Sequence, residues 1–220
     1  MLRKACYSVP IGTESPFLPN QTEQVMARSP EFNRTKALES AMKLFWARGY
    51  TSASLPELLE AMGIARSSFY ASFGTKRKLF IECLQLFGER TLAIVEADAK
   101  RLPSASLPRS FFEATVLGVS QRRAKHGCML VNTVLELADV DPQLNQLATQ
   151  QLNGIEEAFA TAFERAQSAG ELNSAYNSAE LASMVMTINF GLRVQSRQKT
   201  SQKELKPIIE NSLSMLGLAA

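Results

Sequence analysis

The chain has 220 residues, 45% hydrophobic and 20% charged, a globular composition that excludes a fibrous or wholly disordered protein. Its three cysteines, Cys6, Cys83 and Cys128, lie far apart with no CxxC, which argues against a disulfide scaffold or a zinc site and fits a reducing, cytoplasmic setting. The net charge of +3 is uneven: residues 28–90 hold 10 Lys and Arg against 6 Asp and Glu, whereas 91–220 hold 12 against 13, so the basic excess sits where a polyanion would be met.

Residues 1–32 carry Pro10, Pro16, Pro19 and Pro30 with no helical or strand period, which reads as a disordered leader. Met26 opens a natural-looking start, so residues 1–25 read as an upstream extension; with no apolar core to this stretch, a signal peptide is not expected. From Asn33 the pattern is helical. Leu38, Ala41, Met42 and Phe45 make an apolar stripe, Gly49 supplies a left-handed stop, and Tyr50 is placed to fold back on the helix. Ser54 to Glu57 is a capping box, with Pro56 in the first turn of a second helix over Leu55–Met62. Gly63 breaks it, a third short helix covers about 65–72, Gly74 breaks that, and Thr75 caps a fourth beginning KRKLF.

Beyond Pro103, helices are expected over about 108–123, 128–138, 142–169, 178–198 and 202–216. Strand signals are absent, so the fold class is all-α with about nine helices. The longest apolar run, residues 181–192, falls short of the roughly 18 residues a membrane span needs, and no membrane partner is expected.

The second and third helices, joined at Gly63-Ile64-Ala65 and braced by the first, read as a helix-turn-helix over residues 33–80. Leu58, Leu59, Ile64, Phe69 and Phe73 fix the crossing angle; the outer face is left short and polar to enter a major groove about 12 Å wide. On that face stand Arg66, Ser67, Ser68, Tyr70 and Ser72. Arg66 suits a guanine edge, the serines suit bases or phosphate, and Tyr70 suits phosphate through its hydroxyl and sugar or a thymine methyl through its ring. Lys76, in the first turn of the fourth helix, suits phosphate. One histidine, no metal-ligand spacing, no phosphate loop and no nucleophile elbow argue against an enzyme, and no cofactor or metal is expected.

The stretch ALESAMKLFWARGYTSASLPELLEAMGIARSSFYASFGTKRKLF resembles the DNA-binding domain of the tetracycline-repressor (TetR/AcrR) family. The resemblance implies a three-helix DNA-binding domain followed by a helical ligand-binding and dimerisation domain over 81–220. It carries the family's DNA contacts to Arg66, Ser67, Ser68, Tyr70, Ser72 and Lys76, with Ser54 near the backbone. Leu55 and Pro56 stand where some members have polar groups that touch DNA, which argues against base reading from the second helix.

HGCMLVNTVLELADVDP is loosely similar to the subgroup holding the repressor of N-ethylmaleimide reductase, which responds to electrophiles through a cysteine; this implies sensing at Cys128. Lys125, His126 and a helix start beside Cys128 favour a reactive thiol; the alternative is a buried, inert one. Phe111, Phe112, Phe159, Phe163, Met184, Met186 and Phe190 are candidates for an apolar ligand pocket, with ordinary core as the alternative. The last two helices carry Leu181, Val185, Ile188, Leu192, Leu205, Ile208, Ile209, Leu213 and Leu216, which the family resemblance places between two copies of a homodimer.

The expected function is a homodimeric transcriptional regulator of double-stranded operator DNA, a repressor released by a small molecule or an electrophile or oxidant. The alternative is a non-specific, architectural DNA-binding protein.

Overall fold

In the computed structural model, which describes residues 32–172, 175–198 and 200–218, the chain enters its first helix at Asn33. The Asn33 side chain accepts from the Lys36 N–H at 2.9 Å, which satisfies one of the N–H groups left open at a helix start. Helix α1 (Arg34–Arg48) then buries Ala37, Ala41, Met42 and Phe45 along one face. Of the leader expected over 1–32 only Phe32 is described; its ring stands 6.4 Å from that of Phe73, against the core. The rest of the leader lies outside the described residues, as does Cys6.

Helices α2 (Leu55–Met62), α3 (Arg66–Phe73) and α4 (Lys76–Asp98) follow. The break after α1 differs from the expected left-handed stop: Gly49 has φ +85° but ψ 173°, so the chain leaves extended. Tyr50 does fold back, stacking on Phe45 at 6.3 Å and reaching Phe80 at 4.8 Å. Phe45, Phe69 and Phe80 are fully buried, each contributing about 1.5–3 kcal/mol of burial. Helix α4 packs against α1 and also against α5, α7 and α8. It runs unbroken through Phe80, so the boundary expected at 80/81 falls inside one helix.

The single helix expected over 108–123 is instead three pieces. Helix α5 (Leu107–Phe112) widens into a π-helical turn at Glu113–Leu117, and after a gap comes α6 (Gln121–Ala124). The Gly118 N–H closes the wide turn on the Glu113 carbonyl at 2.7 Å. Carbonyls that an α-helix would satisfy internally are taken by distant side chains. Arg193 Nη1 donates to Thr115 O at 2.7 Å, and Gln202 Nε2 donates to Val116 O at 3.0 Å and Val119 O at 2.5 Å. Nothing local in the sequence announces those donors.

Helices α7 (Met129–Leu137), α8 (Pro142–Ser168), α9 (Ser178–Arg197) and α10 (Gln202–Met215) complete ten α-helical segments, with no strand among the described residues. Helix α8 packs against α4, α7 and α9, and α10 closes on α5 and α9. One continuous apolar core runs from α1 to α10.

Candidate nucleic-acid interface

The turn between α2 and α3 is fixed from both sides. Ser54 and Glu57 form the expected box: the Ser54 N–H and hydroxyl donate to Glu57 Oε2 at 2.9 and 2.7 Å, and Ser54 Oγ accepts from the Glu57 N–H at 3.4 Å. The Ser54 hydroxyl is therefore already engaged in capping α2. Gly63 closes α2 in the left-handed region, φ 65° and ψ 35°, where a side chain would be strained. Leu58 and Met62 of α2 and Phe69 and Phe73 of α3 are buried in the same core, so α3 is anchored by two rings one turn apart.

With Phe69 and Phe73 inward, Arg66 and Ser67 are exposed, Tyr70 is 50% exposed, and Ser68 and Ser72 are half-buried at the flanks. Tyr70 leans edge-on against Phe69 at 5.3 Å, so its ring is held on one side while half of the residue stays exposed. Arg66 makes no ion pair among the described residues and is free to meet a partner. Ala65 opens α3 with no side-chain cap, which leaves that helix start available to phosphate oxygen. Sequence reasoning passed over Ala71, which is exposed between Ser67 and Ser72 on the outward face. Its methyl group carries no polar signal, yet a methyl is what a thymine methyl packs against.

The three cations that open α4 separate. Lys76 lies back on the protein, its Nζ 4.7 Å above the Tyr50 ring and 3.4 Å from Thr51 O. Burial lowers its pKa, opposed by the charges of Glu136 and Glu57. Arg77 turns away to Asp141 at the start of α8, Nε to Oδ2 at 2.9 Å and Nη2 to Oδ1 at 3.2 Å. Lys78 is exposed and makes no ion pair among the described residues. Nothing distinguished the three by sequence, because their partners lie far along the chain.

Behind this head lie Phe111, Phe159, Phe163 and Met184, the residues expected to line an apolar pocket. Phe111 packs edge-on against Phe159 at 5.4 Å, Phe159 against Phe163 at 6.0 Å, and all three are fully buried core. Phe112 and Met186 are buried too, Met184 is half-buried and Phe190 is exposed on α9. A helical stripe tells which way side chains face, not whether the space they face is filled. Open space lies at Cys128, which is the N-cap residue of α7 and 4% exposed. A cavity of about 110 Å³ reaches it, walled by Trp46, Phe87, Thr115, Arg123 and Arg193. Cys83, by contrast, is sealed in the core on α4, where burial drives its thiol pKa far up. Among the described residues no group of three or more His, Cys, Asp or Glu could hold a metal ion, and no helix is long and apolar enough to cross a membrane.

Of the residues expected between two copies, Leu181, Val185, Leu192, Leu205, Ile209 and Leu213 are buried within the protomer. The apolar side chains that α9 and α10 leave exposed are Phe190, Val194, Ile208 and Met215.

Comparison with known proteins gives the same outline. Residues 37–83 match the family described as bacterial regulatory proteins, tetR family, and residues 107–210 match the tetracyclin repressor-like C-terminal domain. The chain is 28% identical over 195 residues to an uncharacterized HTH-type transcriptional regulator, YezE, of Bacillus subtilis, covering 87% of this chain and 100% of that protein. It is 28% identical over 196 residues to the HTH-type transcriptional repressor ComR of Escherichia coli, covering 86% and 90%. Among solved structures, a cysteine mutant of the TetR family transcriptional regulator CifR, complexed with 26-bp double-strand operator DNA, superposes with a TM-score of 0.75 at 28% identity, over 86% of this chain and 99% of that one.

Proposed function

Because the chain belongs to the TetR family of bacterial regulatory proteins, we propose that it is an operator-binding repressor whose α3 reads the major groove. The observation that carries this is the division of α3: Phe69 and Phe73 are buried, and Arg66, Ser67 and Tyr70 are presented outward on a helix held at a fixed angle by the α2 turn. Arg66, Ser67, Ser68, Tyr70 and Ser72 are the reading set, and Ala71 joins them. Lys76, Lys78 and the exposed Ser54 segment serve the phosphates. Two copies, joined through the exposed faces of α9 and α10, place two α3 helices on a pseudo-palindromic site. CifR, solved on its operator, and ComR, named a repressor, support the direction of this reading.

The release signal enters the helical body at the cavity beside Cys128, and residues 33–80 and 81–220 divide the labour between DNA and signal. A ligand acts there only by preferring one of two conformations, so the site has to communicate with the head. The test is selection of bound duplexes from fragmented genomic DNA by the purified full chain, followed by anisotropy titration. A specific regulator prefers its selected site over random duplex by about a thousandfold or more. Equal affinity for all duplexes, with a steep salt dependence, would instead mark an architectural DNA-binding protein.

A further inference from the structure

Arg193 is 7% exposed, on the inner face of α9, and among the described residues no carboxylate lies within ion-pair distance of it. Its two hydrogen bonds go to neutral acceptors: Nε donates to Asn189 Oδ1 at 3.0 Å and Nη1 to Thr115 O at 2.7 Å. Nη2 has no hydrogen-bond partner among the described residues, although a guanidinium carries five N–H donors and stays charged. A buried cation is ordinarily paired, because taking it out of water without a counter-charge is costly. Here burial presses its pKa down, opposed by the Cys128 sulfur and reinforced by the like charge of Arg123.

The space this group borders is also short of acid. Arg193, Arg123 and Arg90 line the cavity of about 110 Å³, and no Asp or Glu does. Arg90 alone of the three is neutralised, by Glu39 on α1. Met42, Trp46, Arg90 and Arg123 also wall an outer groove of about 630 Å³, whose remaining lining adds Lys43, Arg122 and His126 and again no acid. Arg123 stands over the Trp46 ring at 5.1 Å, between groove and cavity. The arrangement is a positively charged entrance leading to a buried, unpaired guanidinium.

We propose that this cavity binds a small organic carboxylate whose anionic group pairs with Arg193. The proposal rests on the reading that the signal enters beside Cys128, and it names the chemistry of that signal. At about 30 Å³ per water the cavity has the room of three to four waters, which suits a two- to four-carbon acid. A longer chain continues past Arg123 into the outer groove.

Trp46, the single tryptophan of the chain, lines both spaces and reports on them by its fluorescence. The full chain is titrated at constant ionic strength with sodium acetate, propionate and butyrate, and with the amide of each. Expected is a saturable change with at least one carboxylate and none with its amide over the same range. Arg193→Gln weakens binding at least tenfold. Saturation by acid and amide alike, saturation by no carboxylate, or unchanged affinity in Arg193→Gln overturns the proposal. Should Arg193→Gln not fold by circular dichroism, Arg123→Gln replaces it, with a severalfold loss expected and unchanged affinity overturning. Operator binding is measured in parallel without acid; its absence would sink the regulatory reading while the titration still decides the carboxylate.

Discussion

Glu136, on α7, caps the backbone of Thr51, in the turn between α1 and α2: its Oε1 accepts from the Thr51 N–H at 2.7 Å, and its Oε2 accepts from the Tyr50 N–H at 3.1 Å. One carboxylate from the helix that Cys128 opens thus holds the segment leading into the helix-turn-helix. The approach is close enough that a Cβ on Gly49 would stand 2.5 Å from Glu136 Oε2. Two further ties cross the same border: Arg77 to Asp141, and the Trp46 indole N–H donating to Gly127 O at 3.2 Å.

Glu136→Ala leaves two N–H groups to water and removes charge-assisted hydrogen bonds. Because Thr51 is exposed and easily rehydrated, the expected loss is about 1–2 kcal/mol in urea unfolding. Gly49→Ala adds strain at φ +85° to the displacement of Glu136, and is expected to cost about 1–3 kcal/mol. Operator affinity falls in both variants. If Glu136→Ala binds operator and unfolds as the wild type does, this carboxylate does not couple the helix to the turn.

At the DNA face the variants separate by kind. Tyr70→Phe and Arg66→Ala change exposed atoms, so stability stays within about 0.5 kcal/mol. Arg66→Ala is expected to weaken the selected operator by about 1–3 kcal/mol and relax preference at one base pair. Lys78→Ala should weaken all duplexes alike and lower the salt slope by about one charge. Lys76→Ala should do so less, since its ammonium is already engaged over Tyr50 and Thr51. Anisotropy at three salt concentrations distinguishes these, and an unchanged slope in Lys78→Ala would remove that residue from the phosphate contacts.

What was readable in advance was local. The Ser54–Glu57 box, the Gly63 break and the Thr75 cap depend on residues three or four apart, and each stands where the pattern put it. Phe69 and Phe73 were legible as core because a one-turn spacing repeats on a short helix. What escaped depends on partners distant in sequence. The fates of Lys76 and Arg77 are decided by Tyr50 and Asp141, and the wide turn after Phe112 by Arg193 and Gln202. An arginine within an apolar stripe reads as a surface residue, so Arg193 gave no signal until α9 was packed.

His126, the single histidine, stands 6.2 Å from the Trp46 ring, and burial, then Arg122 and Arg197, lowers its pKa. Its folded pKa therefore lies below the unfolded value of about 6.5. The unfolded chain takes up the proton first. This contribution to stability is present above about pH 6.5 and is lost as pH falls through the folded value. Unfolding free energy is thus expected to decline from pH 7.5 to 5.5, and His126→Gln to flatten that decline. An equal slope in the variant would place the proton uptake elsewhere.

Phe190 and Val194 lie one turn apart on α9, 37% and 45% exposed, and with Val131, Val134, Leu135 and Leu152 they line a wholly apolar surface hollow of about 290 Å³. A contiguous apolar hollow of this kind, unlike an apolar side chain exposed singly, marks a surface that a partner covers, and a second copy fits the reading of α9 as the dimer face. Val194→Glu places a charge on that surface while facing away from the protomer core, so the monomer should fold normally by circular dichroism. Sedimentation velocity is expected to show a shift from dimer to monomer. Operator affinity should fall steeply, because one half-site contact set replaces two, whereas weak binding to any duplex persists through the same basic face. A Val194→Glu protein that remains dimeric at micromolar concentration would move the interface off this part of α9, and with it the spacing between the two copies of Arg66 that sets the half-site distance.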